Sequence, residues 1–303
     1  MTRTARPAEP VAAPVPAVPR VGPLNRWLGD WLPALPLLIV AYGLLVLPIV
    51  VLIIQSFMSN QGSMTLDNWA EVLSSSRDRQ AIGTSLLMGA SSATIALAIG
   101  GPLAWWLSRM QAARSSIWLA MFNTATNFGN IGLAFGFVAI LGTYGMITLL
   151  LQQLGFPFSP PSPGSFIGLV MAYSYGNIPM FILLTLPGMS ILKPQWAEAA
   201  ETCGATHWQF WRMVGLPILL PFLAAGWLLI FTWSVGLYGI PFALTGGGRS
   251  TEVSLITLQI ARVLESSFSG PAKAATLSVL LLLIAVISLL VYRWTLRRAA
   301  RWF

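Results

Sequence analysis

One histidine, one cysteine and nine carboxylates are the whole stock of conventional catalytic side chains in this 303-residue sequence. His207 and Cys203 share one polar segment, and the carboxylates are spread thinly along the chain. No metal cage or acid–base pair is expected from such a set, and a lone cysteine cannot form an intrachain disulfide or a multi-cysteine zinc site. Nor is there a nucleotide phosphate loop: the glycine run Gly246-Gly247-Gly248 leads into Arg249, with no Lys-Ser/Thr after it. No cofactor is expected, and the chain is read as having no chemistry of its own. What remains is hydrogen bonding from neutral side chains in apolar surroundings. Asn123, Asn127 and Asn130 recur at intervals of four and three, which would put them on one face of a helix. Tyr173 and Asn177 repeat that spacing beside Gly176 and Pro179, and Thr232, Trp233, Ser234 and Tyr238 form a polar, aromatic cluster further on. Two readings are open for these groups. They line a path for a polar solute, or they are the hydrogen-bonding glue between membrane helices. His207 and Cys203 are expected to be packing residues.

The elements that must carry these side chains are membrane helices. The chain is 56% hydrophobic and 9% charged, with mean hydropathy +0.74, whereas soluble domains carry about 25% charged residues. About twenty apolar residues suffice to span a bilayer. On that measure spans are expected over residues 31–54, 81–107, 117–141, 166–186, 218–244 and 274–292. Residues 1–30 are rich in proline and alanine and form a disordered tail, because prolines at 7, 10, 14, 16, 19 and 23 cannot propagate a helix. No uninterrupted apolar region follows the basic start, so the tail is not a cleavable signal. Residues 31–293 form the membrane domain, and residues 294–303 are a basic C-terminus. No Asp, Glu, Lys or Arg falls inside an expected span, which disfavours a proton relay. Trp31, Trp105, Trp106, Trp294 and Trp302 sit near span ends as interfacial anchors. No internal repeat is visible.

Orientation follows from the basic residues. The two tails, the Arg109/Arg114 loop and the segment between spans four and five hold 12 of the 17 Lys and Arg. The remainder, Arg77, Arg79, Arg249, Arg262 and Lys273, lie on the other side. The excess places both termini in the cytoplasm and turns residues 56–79, 142–164 and 246–273 outward. A net charge of +8 therefore reflects topology, and no nucleic-acid partner is expected.

One segment stands apart. Glu198 to Pro217 reads EAAETCGATHWQFWRMVGLP between two spans. Lys193 and Pro194 close the fourth span, and a short helix starts again with Glu198 expected in its first turn, where the helix dipole favours a carboxylate. Ala199 and Ala200 are small enough for a partner to approach. Gly204 permits a turn at positive φ, and residues 207–214 are expected to form a second short helix before Leu216-Pro217 re-enters the membrane. The spacing Glu-Ala-Ala, three residues, Gly, nine residues, Val214, one residue, Leu-Pro resembles the EAA loop of permease subunits in binding-protein-dependent ABC importers. The segment GTYGMITLLLQQLG (142–155), and NWAEVL (68–73) followed by Gly83-Thr84-Ser85, are similar to stretches in the permeases of the spermidine/putrescine, iron and sulfate importer group.

That resemblance covers residues 31–293 and implies an all-α membrane protein with six transmembrane helices, in the type I ABC importer permease architecture. It implies partners: two ABC ATPase subunits, a second permease subunit (related or identical), an extracytoplasmic solute-binding protein and the lipid bilayer of a bacterial-type plasma membrane. It implies an ATPase-coupling element at 196–217, with Glu198, Ala199, Ala200, Gly204, Leu216 and Pro217 as its residues. ATP hydrolysis is then expected in a separate polypeptide. Asn123, Asn127, Asn130, Tyr173, Asn177, Thr232 and Tyr238 are the candidates for the translocation path. The resemblance leans towards a polyamine-like solute, with phosphonate, thiamine or an iron complex as alternatives. A stand-alone secondary transporter or channel is the other class of function kept open.

Overall fold

A computed structural model describes residues 34–59, 62–142, 144–155, 161–247, 253–266 and 270–299. The proline-rich tail, Trp31, Trp302 and the last residues of the basic C-terminus lie outside the described residues. Six helical stretches among those described are long and apolar enough to cross a bilayer: Leu35–Ser56, Ser76–Ser108, Ile131–Gln153, Phe166–Met189, His207–Gly236 and Gly270–Thr295. The protein is an all-α, multi-pass membrane protein.

The chain divides into two compact units, 1–51 and 52–303. Of the first, the described part belongs to α1, Leu35–Ser56, whose 22 residues carry no charge and include Pro48. At about 1.5 Å per residue this helix is about 33 Å long, the thickness of a hydrocarbon core. The second unit holds α2 (Asp67–Ser74), α3 (Ser76–Ser108), α4 (Ala112–Thr126), α5 (Asn130–Leu141), α6 (Met146–Gln153), α7 (Phe166–Met189), α8 (Pro194–Thr202), α9 (His207–Phe210), α10 (Leu216–Gly236), α11 (Gly239–Leu244), α12 (Ile256–Ser266) and α13 (Gly270–Ala299).

The 33-residue α3 is the spine of this unit, packed against both α7 and α10. Lipid is as apolar as leucine, so membrane helices associate by close packing of small residues. α3 supplies them: Gly89, Ser92, Ala93, Ala96, Gly100 and Ala104 are all buried. A Cβ at Gly89 would stand 2.6 Å from a Val235 methyl and 3.2 Å from the Phe231 carbonyl, so only glycine allows this approach. Large apolar side chains such as Leu220, Ile287 and Leu290 are exposed on the outer surface, as a lipid-facing belt requires.

Three expectations need correction. The third crossing does not run unbroken over 117–141. α4 ends at Thr126, α5 begins at Asn130, and the stretch apolar enough to cross there, Ile131–Gln153, takes in both α5 and α6. The Asn127 amide donates to the Asn123 carbonyl at 2.8 Å and to its Oδ1 at 3.0 Å, the local bonding by which asparagine competes with a helix. The fifth crossing also breaks, at Leu237–Tyr238, before α11. A helix continuing through Leu237 would need the N–H of residue 241, and residue 241 is proline. The connector 246–273 contains α12, eleven residues long.

The third correction concerns charge. Asp78 is the third residue of α3 and is fully buried, and Lys273 lies in the first turn of α13. Lys273 Nζ stands 3.0 Å from Asp78 Oδ2 and 2.9 Å from Glu71 Oε1, while the Gln259 amide donates to Asp78 Oδ1 at 2.8 Å. The contact at Oδ2 is ionic and not an aligned hydrogen bond. Asp78 and Lys273 thus sit inside crossing helices, near their ends, compensated by each other and by an amide. Four helices, α2, α3, α12 and α13, are pinned at this point.

Candidate coupling loop and translocation path

At the opposite end of α3, about 40 Å along the helix from Asp78 to Trp105, lies the EAA segment. Pro194 occupies the first turn of α8, where its missing N–H costs nothing. Glu198 comes in the second turn, correcting its expected place in the first. It is exposed, as is Ala199. Ala200 is half-buried against the molecule's own core with Ala197, so only Ala199 of the alanine pair faces outward. α8 ends in a complete left-handed cap. Gly204 has φ +78°, its N–H reaches the Glu201 carbonyl at 2.9 Å, and the Ala205 N–H reaches the Ala200 carbonyl at 3.0 Å. An L-residue at that φ is strained by about 1–2 kcal/mol.

The chain restarts on a capping box. The Gln209 N–H donates to Thr206 Oγ1 at 3.3 Å, and the Thr206 N–H donates to Gln209 Oε1 at 2.7 Å. The second short helix expected over 207–214 is not separate. α9 passes through a π turn, Trp211–Gly215, directly into α10 at Leu216 and Pro217, both exposed. The EAA element is therefore one exposed helix, a left-handed corner and the beginning of the fifth crossing, with Ala197 and Ala200 seating the helix on the core.

An aromatic junction holds that corner to α3. Trp105 meets Trp211 edge-on with centroids 4.8 Å apart, and the Arg109 guanidinium lies 4.2 Å over the Trp105 ring. Trp211 Nε1 donates to His207 Nε2 at 2.9 Å, which requires that nitrogen to be unprotonated. Phe210 is buried among Leu107, Met189, Leu192 and Leu219. Trp105 is thus a packing residue, while Trp106, half exposed, keeps the character of an interfacial ring. Cys203 is an exposed free thiol at the end of α8, not a packing residue.

The path candidates divide. Asn123 and Asn127 are exposed and bond to each other, and neither lines the two cavities formed by the described residues. Asn130 opens α5, and its side chain lies outside what is described; with a break between Asn127 and Asn130, the three share no single helix face. Thr232 and Tyr238 line an open cavity of about 510 Å³ with Met180, Leu184, Trp233 and Leu237. Tyr173 and Asn177 line a smaller adjoining one of about 50 Å³, which shares Met180, Trp233 and Leu237. Ala125, Thr126 and Phe128 reach the same space from the break after α4. Both helix breaks therefore meet at one point. No lining residue is charged. Thr232 donates to its own Leu228 carbonyl at 2.8 Å, and Tyr238 stacks on Phe242 at 5.0 Å. Asn177 is buried and donates to Ser234 Oγ at 2.9 Å, and Ser92 Oγ lies 3.1 Å from the same hydroxyl. Met180, Leu237 and Phe128 were not legible as lining residues; Pro241 was the available sign of the break beside them.

With this geometry, the chain was compared with known proteins. It aligns over 92% of its length with a chain of a bacterial alginate ABC transporter solved in complex with an alginate pentasaccharide-bound periplasmic protein, covering 96% of that chain at TM-score 0.69 and 15% identity. The chain has the fold of an ABC importer permease. The permease fold is matched by sequence relatives too. The sulfate transport system permease protein CysT of Escherichia coli K12 is 37% identical over 118 residues, 39% of this chain and 42% of that protein. The spermidine/putrescine transport system permease protein PotB of Haemophilus influenzae is 24% identical over 258 residues, 82% of this chain and 87% of its own. The match thus spans less than half of the sulfate permease's length. No protein-family model matches the chain.

Proposed function

We propose that the protein is the transmembrane permease subunit of a binding-protein-dependent ABC importer. The observation that carries the proposal is the EAA element: an exposed helix bearing Glu198 and Ala199, joined by the left-handed Gly204 to the start of the fifth crossing. An exposed helix on one corner is a handle for a motor, and the permease similarities give the motor its class. In this reading two ATPase subunits grip α8 from the cytoplasm, and a second permease and an extracytoplasmic binding protein complete the assembly. Closure of the ATPases rocks α10 against α3 and α7, a rigid-body switch between packed states. Both termini are cytoplasmic. The double helix break marks the solute path, since irregular backbone at membrane depth is tolerated where it lines a cavity.

For the solute, a polyamine-like cation is the proposed class. The two relatives named above carry opposite charges, sulfate and spermidine or putrescine. The cavity offers the faces of Trp233 and Tyr238, which attract cations, and no Lys or Arg for an oxyanion. Thiamine, itself a cation, meets the same aromatic faces, whereas phosphonate and iron complexes fit the charge-free lining less directly. Capture of the tagged full chain from its native membrane tests the function. The captured complex should hydrolyse ATP through a co-purifying subunit, and reconstituted vesicles should take up labelled spermidine in preference to sulfate. A chain that captures no ATPase and still transports would instead be a stand-alone carrier.

A further inference from the structure

The Leu237 carbonyl is where the fifth crossing stops. Pro241 removes the N–H that a continuous helix would give it, and a partly buried carbonyl without a donor is costly. A donor comes from another part of the chain. Thr257 Oγ1, one residue into α12, donates to Leu237 O at 3.2 Å, and the Tyr173 hydroxyl reaches the same oxygen at 3.5 Å, the limit of hydrogen bonding. Leu237 lines both cavities, with Tyr238 next to it.

We propose that Thr257 is a positioning residue of the path, its hydroxyl fixing the Leu237 break and hence the wall that carries Tyr238; the role of this wall in transport rests on the permease reading. Helix α12 is suited to hold a fixed donor because its own start is anchored twice. The Ile256 N–H donates to the buried Ser85 hydroxyl of α3 at 2.8 Å, and Gln259, two residues beyond Thr257, is bonded to Asp78 in the Asp78–Lys273 ion pair. A chain of contacts therefore runs from the ion pair at one end of α3, through α12, to the cavity wall. Without the hydroxyl, the break must shift until its carbonyl finds another donor, and Tyr238 shifts with it.

The test reads the wall directly and needs no solute. In a Cys203→Ala, Tyr238→Cys chain kept in its full assembly, the labelling rate of position 238 by a small thiol reagent is measured with and without Thr257→Val or Thr257→Ser. Thr257→Val should change the rate about fivefold, the factor that one net hydrogen bond of about 1 kcal/mol represents. Thr257→Ser, which keeps the hydroxyl, should restore it, while a cysteine at Ser63 labels equally in every background. Equal rates in the Thr257→Val and parent chains, or equal changes in the Thr257→Val and Thr257→Ser chains, would overturn the proposal. If Thr257→Val does not accumulate in the membrane, Pro241→Ala added to it decides: it returns a backbone N–H to the break and should restore accumulation, and failure to do so counts against the proposal. Spermidine uptake measured in parallel separates the two readings. A labelling change without any transport defect leaves the positioning role standing and removes this wall from the path.

Discussion

Asn177 Nδ2 donates to the Ser234 hydroxyl at 2.9 Å, joining α7 to α10 at a buried point where Ser92 of α3 also arrives. All three side chains are at most 4% exposed. This contact supports the structural role for Asn177, with its neighbour Tyr173 facing the small cavity.

Ser234→Ala should therefore act on stability. Interhelical hydrogen bonds in membranes average about 0.6 kcal/mol, and the stranded Asn177 amide adds a desolvation cost of about 1–3 kcal/mol. Thermal unfolding in detergent should fall measurably, with transport per folded molecule nearly unchanged. A normal melting temperature with lost transport would return Asn177 and Ser234 to the path.

Asn127 should behave in the opposite way. It is exposed and bonds only to Asn123 on its own helix. Asn127→Leu should leave unfolding unchanged while lowering uptake if this break borders the moving solute. Normal uptake would leave Asn127 as a local helix stop alone.

The Asp78–Lys273 ion pair makes a stability prediction with two sizes. Asp78 is fully buried and Glu71 mostly exposed, though both touch Lys273. Lys273→Met strands the Asp78 charge and should cost about 3–5 kcal/mol, and Asp78→Asn in the same chain should recover much of it. Glu71→Gln should cost about 0–1 kcal/mol. Equal losses from Lys273→Met and Glu71→Gln would mean that Asp78 is not the partner that matters.

Orientation is open to labelling in intact cells. In a Cys203→Ala background, cysteine at Ser63 should react with an impermeant thiol reagent, and cysteine at Thr206 should react only after the membrane is opened. The reverse pattern would turn the molecule over.

Much of the architecture was legible because lipid imposes a simple code. Long uncharged stretches gave α7 almost to the residue, and the Gly204 corner was legible because a glycine after a short polar helix satisfies a cap that few other residues can. The break at Asn127 was hidden because its asparagines fit the spacing of one helix face, and the break at Leu237 because hydropathy does not register a carbonyl deprived of its donor by Pro241. Asp78 passed for a loop residue because its cation is nearly two hundred positions away. Trp105 passed for an interfacial ring because its partner, Trp211, lies beyond two further crossings.

Coupling through Gly204 is tested most directly by ATP turnover. The assembly of permease, ATPase and binding protein is purified with the parent chain and with Gly204→Asp, and hydrolysis is measured with and without solute-loaded binding protein. A Cβ at Gly204 meets nothing within 4 Å, so the cost is confined to the left-handed backbone, about 1–2 kcal/mol, and the crossings should stay folded. Gly204→Asp should insert normally, and either lose its ATPase or retain it without stimulation. Retained ATPase with full stimulation would show that this corner does not carry the coupling.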